Sequence, residues 1–136
     1  MKRPINKNIL TLQQPSVVAT PADRHVVTDL LDTLVAHKAE AVGLAANMIS
    51  QNKRIIALLI GPLPVAMINP TITAKSGPYQ TTEGCLSLAG QRQTTRYQQI
   101  TVTYQTTAFA SQHQTFTDFT AQIIQHELDH CNGILI

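Results

Sequence analysis

Charge is scarce in this 136-residue chain: only 13% of residues are Asp, Glu, Lys or Arg. A folded surface must still be polar, so Thr, Gln, Ser and Asn have to supply it. Ten Lys and Arg against eight Asp and Glu leave a net charge of +2. That small excess excludes a broad basic stripe, so direct DNA binding is not expected, although local patches stay open. Long apolar runs are also missing. None approaches the ~18 residues of a membrane span. The basic opening, Met1-Lys2-Arg3-Pro4, leads into no apolar run of signal-peptide length, so a cytoplasmic protein off the membrane is expected. Cysteine is limited to Cys85 and Cys131. In a reducing compartment no disulfide is expected between them, and each needs another explanation. The length suits one domain over residues 1–136, with no repeat or low-complexity linker to divide it.

What is present is periodic. Residues 1–19 mix apolar and polar groups and read as an extended arm with room for one short strand. Thr20-Pro21-Ala22-Asp23 is a helix start, with Thr20 as N-cap, Pro21 in the first turn and Asp23 completing a variant capping box. Val26, Val27, Leu30, Leu31, Leu34 and Val35 then recur at helical spacing, and the helix should fade near His37 to Ala39. Small residues crowd Glu40 to Met48, where a backbone can approach another element or a ligand closely. Arg54 to Ile60 is a buried strand candidate. Val65 to Ile68 reads as a second strand stopped by Asn69-Pro70, with Thr71 to Ala74 a candidate continuation. Gln99 to Gln105 alternates as a half-buried strand, and His113 to Phe116 is its candidate hairpin partner. A helix is predicted from about Asp118 to Cys131, ended by Gly133. The apolar tail Ile134 to Ile136 is expected to dock on the body. Strands before one C-terminal helix predict an α+β fold: antiparallel or mixed sheets packed around that helix.

The helix carries Gln125-His126-Glu127-Leu128-Asp129-His130, an H-E-x-x-H pattern. Its two histidines lie one turn apart on one face, where both imidazoles can bind one metal ion, and Glu127 can reach a water on it. Such a pattern also occurs by chance on ordinary helices. Here the same face carries Phe119 and Ile123, so it is expected to be buried, and two buried histidines need partners. Two imidazoles leave a catalytic site one protein ligand short. No third His or Glu follows within a turn or two, so the ligand has to come from upstream. Cys85 is the best candidate, flanked by Gly84 and Leu86 in what reads as an exposed turn or bulge. Taken alone it would be a buried small hydrophobe. Cys131 points about 100° around the helix from His130 and is expected to be structural. His25, His37 and His113 sit among polar residues and should face solvent.

Three motifs make the sequence resemble the peptide deformylases. Glu83-Gly84-Cys85-Leu86-Ser87 matches that family's E-G-C-L-S, and Gln125 to His130 matches its Q-H-E-x-D-H. The stretch Ala41 to Met48 matches its G-x-G-x-A-A-x-Q with two departures: Ala41 replaces the first glycine and Met48 the final glutamine. Asn69-Pro70, Arg92 and Arg96 extend the likeness over nearly the whole chain.

The resemblance implies a metallohydrolase that removes the formyl group from the N-terminal methionine of newly made polypeptides. It implies Cys85, His126 and His130 as metal ligands and Glu127 as general base and acid, with attack by a metal-bound water or hydroxide. The backbone N–H of Leu86 would stabilise the oxyanion. The family's glutamine donates to the formyl oxygen, which Met48 cannot do. Impaired activity is therefore expected, and a non-catalytic homologue that binds metal and formylated peptides or a ribosomal partner is the alternative. By similarity Val42, Gly43, Leu88, Arg92, Gln122 and Ile123 should lie near the methionine pocket or the peptide. The family's metal is often Fe(II), with Zn, Ni or Co as replacements, whereas ligand chemistry alone favours Zn. The implied partners are the formyl-methionyl peptide and nascent chains at the ribosome.

Overall fold

The computed structural model describes residues 1–136. Three helices, α1 (Ile9–Leu12), α2 (Arg24–Ala36) and α3 (Asp118–Cys131), accompany five strands. The strands are β1 (Gly43–Ala45), β2 (Ile55–Ile60), β3 (Leu63–Cys85), β4 (Leu88–Gln105) and β5 (Ser111–Thr117). They form one antiparallel sheet in the order of the chain. The α+β expectation holds, with a single continuous sheet.

Packing explains the elements. In α2, Val26, Val27, Leu30 and Leu34 are buried, as their spacing requires. Asp23 accepts the Thr20 N–H at 2.9 Å, which is the acid half of the predicted box. The first turn, Pro21–Asp23, is a tighter 3-10 turn that leads into the helix. Strand β2 contributes Ile55, Ile56, Ala57 and Leu58, all fully buried between α2 and α3. From α3 come Ala121, Ile123, Ile124, Leu128 and Cys131. Cys131 is wholly buried and its thiol is pushed up to about 12 by that burial, which fits the structural role expected of it. His25 and His113 are exposed and His37 is half-buried.

Three expectations are corrected. Asn69-Pro70 does not stop a strand: β3 runs through it, with register shifts after Ile68 and again after Ile72. Proline lacks an N–H to give a ladder, and the bulge removes the need for one. Asn69 takes the left-handed conformation there (φ 52°). Its side chain accepts from Ala19 N–H at 2.8 Å and donates to Ala19 C=O and Gln105 Oε1, so distant chain fixes the bend. Second, the N-terminal arm holds one helical turn, α1, capped by Asn8, and only an isolated parallel bridge from Val17 to Lys53. Third, Phe119 lies on the face of α3 that carries Ile123 and His126 but is not buried there. It is 59% exposed, because it lines the open pocket over the site.

The C-terminal end of α3 is fastened to the arm. Ser16 N–H donates to Cys131 C=O at 2.7 Å, and Ile134 N–H to Asp129 C=O at 2.8 Å. In the tail Ile136 is buried and Ile134 is half exposed. Gly133 makes the turn with φ 75°, and a Cβ there would meet Gln13 O at 2.3 Å. Gly133→Ala is therefore expected to lower stability by about 2–4 kcal/mol, from a left-handed alanine and a clash with backbone. A urea melt should show a lower midpoint at unchanged slope; an unchanged midpoint would mean the arm is not packed on this turn.

Candidate metal centre and active site

Two elements bring the site together. One is α3, whose period places His126 and His130 one above the other. The other is the hairpin joining β3 to β4, which shifts register between Gly84 and Cys85 and so ends its ladder at Cys85. Cys85 is half-buried at that turn, as its flanks predicted. The Nε2 atoms of His126 and His130 lie 3.2 Å apart. With the Cys85 sulfur, one donor atom from each of the three residues falls within 4.8 Å of the others. Both histidines are buried, His130 completely.

Those donors fit a divalent cation. One thiol and two imidazoles form a set suited to a borderline-soft metal. Two ring nitrogens also face each other in a closed space, where a shared cation satisfies both. The imidazoles are held from behind. Asn47 donates to the His130 backbone carbonyl at 2.8 Å. His126 Nδ1 bonds Glu83 Oε1 at 2.7 Å, which leaves Nε2 for the ligand side.

Glu83 anchors a buried ionic chain. Arg96 donates to both its oxygens, at 2.7 Å from Nη2 and 3.0 Å from Nε, and reaches Asp129 at 2.7 Å with Nη1. Gln122 donates to its other side at 2.9 Å. Burial works against ionising Glu83, but the hydrogen bonds from His126, Arg96 and Gln122 outweigh it and hold its pKa down at about 2. Burial likewise opposes charge on His126, yet its bonds to Cys85 and Glu83 and the nearby carboxylates raise it to about 10. His130 goes the other way, to about 3, through burial and the charge on His126.

Glu127 is buried beside them, with Oε1 lacking any partner. Burial pushes its carboxyl up to about 7. Its neighbour across the gap is Gly43. A methyl group there would sit 2.7 Å from Ile123 Cγ2 and 2.9 Å from Glu127 Oε2, so only glycine lets β1 approach α3 this closely.

A pocket of about 480 Å³ opens over this group. Val42, Gly43, Met48, Leu86, Gln122 and Ile123 line it with Cys85, His126 and Glu127, as their assignment requires. Leu88 and Arg92 do not. Leu88 is buried in the core and Arg92 is half-buried outside the lining, opposite Glu83 in the ladder. Phe119 and Gln91 line the pocket without having been singled out. Phe119 is legible in the sequence only as a helix-face residue, because its exposure depends on the strands that leave the pocket open beside it.

One wall is a free strand edge. β1 pairs only with β2. Leu59 N–H donates to Val42 C=O at 2.9 Å, with Gly43 opposite Leu58. Residues 42 and 44 therefore turn their backbone groups to β2, and Gly43 turns its own to the open edge. Behind it sits Met48, 1% exposed, whose sulfur accepts the Ala45 N–H at 3.4 Å.

A two-histidine helix facing a cysteine at a strand end, with a buried carboxylate beside them, is the donor layout of a mononuclear metallohydrolase. The sequence profile of one such family, described as polypeptide deformylase, matches residues 4–136. A peptide deformylase of Clostridium beijerinckii is 54% identical over 136 residues, all of both chains. The solved peptide deformylase of Thermotoga maritima superposes with a TM-score of 0.89 at 27% identity, covering 99% of this chain and 95% of that one. An Acinetobacter baumannii peptide deformylase, solved bound to Met-Ala-Ser, superposes with a TM-score of 0.83 at 30% identity over 99% and 97% of the two chains. The chain belongs to the polypeptide deformylase family.

Proposed function

We propose that this chain, as one domain over residues 1–136, hydrolyses the N-formyl group from the terminal methionine of newly made polypeptides. The observation that carries the reading is the convergence of Cys85, His126 and His130 beside a buried Glu127, with Cys85, His126 and Glu127 lining the pocket. The full-length likeness to a named deformylase supports it, as does the relative solved with Met-Ala-Ser, the peptide left when such a substrate loses its formyl group.

Cys85, His126 and His130 would hold one divalent cation, Fe(II) in the cell with Zn, Ni or Co as replacements, and it would supply Lewis-acid polarisation of water and of the formyl oxygen. The peptide lies along the open edge of β1, where the Gly43 N–H and C=O pair with its backbone. Val42, Ile123 and the aliphatic part of Gln122 bracket the methionine side chain. Glu127 takes a proton from the attacking water and passes it to the amine nitrogen as the C–N bond breaks. Formate and a free N-terminus leave. Leu86 N–H donates to the formyl oxygen as charge builds there. Arg96 and Glu83 keep His126 oriented. No helix is long and apolar enough to cross a membrane, and the enzyme meets nascent chains in the cytoplasm.

Met48 favours a second reading, a homologue that binds formylated peptides with little turnover. The two separate in one assay. Protein loaded anaerobically with Fe(II), Ni or Co is mixed with formyl-Met-Ala-Ser and formate is followed. Turnover is expected; its absence with all three metals would sink the enzyme and leave the binding protein.

A further inference from the structure

A second cleft, of about 460 Å³, lies on a different face of α3 and shares no residue with the catalytic pocket. Its walls come from β3, β4 and the face of α3 that carries Gln125, Leu128 and Asp129, and Arg54 lines it too. Three cations line it: Arg54, Lys75 and Arg96. Arg96 is spent on Glu83 and Asp129. The other two meet only neutral groups. Arg54 donates to Asn132 Oδ1 at 2.9 Å and to Pro70 C=O at 3.0 Å, which fixes its guanidinium plane and leaves its charge uncompensated. The Lys75 ammonium stands 4.6 Å from the centroid of the Tyr97 ring. The one carboxylate of the lining, Asp129, is already held by Arg96.

A hydroxyl completes the wall. Thr71 and Thr95 both line the cleft. Thr95 contributes its backbone, because its hydroxyl pairs with Gln80 on the other face of the sheet, and the Thr71 hydroxyl is the donor on this wall. An oriented guanidinium, an ammonium and a hydroxyl donor in one concave space suit an anion with several acceptor oxygens.

We infer that this cleft binds a phosphate group, either free or carried in an RNA backbone. The cleft does not rest on the catalytic reading, since neither Arg54 nor Lys75 lines the catalytic pocket. Its position on the far side of the helix leaves the catalytic pocket open while it is filled.

The test uses the full chain in its Zn form, followed by 15N–1H correlation spectra. Inorganic phosphate is titrated first, then a ten-nucleotide single-stranded RNA at low salt. Phosphate is expected to move the amides of Thr71, Thr95 and Asn132. If RNA moves the same amides at lower concentration, and loses affinity steeply with salt, the ligand is RNA-borne. If only free phosphate moves them, the ligand is free. Lys75→Gln, a change at an exposed side chain, should weaken binding about tenfold, and Arg54→Gln by at least as much. Amides unmoved by both ligands would overturn the inference. So would binding that both variants leave unaltered.

Discussion

Glu127→Gln is expected to yield a protein that binds its full equivalent of metal and releases almost no formate. The glutamine keeps the shape of the side chain in a place with no slack. Glu127 is buried against Gly43, where even an added methyl would collide. What the substitution removes is the ability to accept a proton. General base and acid catalysis typically contributes about a hundred- to ten-thousand-fold, and the loss should fall in that range. Burial lifts the carboxyl above the ordinary carboxylate range, which suits a group that must take a proton and then return it. Metal content by elemental analysis and formate release by a coupled assay make the check. Loss of the metal with the activity would make Glu127 a ligand, and full turnover would place the base elsewhere.

The same geometry shows what could be read from the chain and what could not. The period of α3 gave its span and the pairing of His126 with His130, because a helix repeats by local rules. Cys85 could be placed opposite them only by requiring a third ligand. Its actual position depends on a register shift at the end of a long hairpin, which is a pairing between distant residues. The sequence alone stops β3 at Asn69-Pro70, because proline cannot serve a regular ladder. The chain accommodates it with a bulge whose anchor, Asn69, reaches Ala19 and Gln105. No local rule contains those partners. Glu83 shows a further limit. It stands in plain view within its motif, but its role comes from Arg96 and His126 meeting it inside the fold. Leu88 and Arg92, implied by likeness, do not line the pocket but stand opposite Cys85 and Glu83, which do.

Met48→Gln is expected to raise turnover by about ten- to a hundred-fold. Removing one oxyanion donor typically costs about a hundred- to a thousand-fold, and this chain has a thioether where the family motif has an amide. The surroundings show why an amide fits. The Met48 sulfur already accepts the Ala45 N–H at 3.4 Å, which is the part a glutamine oxygen can play. With its oxygen held there, the glutamine NH2 group can only point into the pocket, toward the developing charge. Met48 therefore keeps the acceptor half of the motif residue and lacks the donor half. The two side chains are of similar length, so packing changes little, but a buried amide with one group unpaired between turnovers should cost about 1–2 kcal/mol of stability. The gain should appear in kcat with KM nearly constant, because the new bond strengthens as charge moves onto the formyl oxygen. An unchanged kcat in a folded, metal-loaded variant would mean that the cation and the Leu86 N–H suffice, and that Met48 is no handicap to the enzyme.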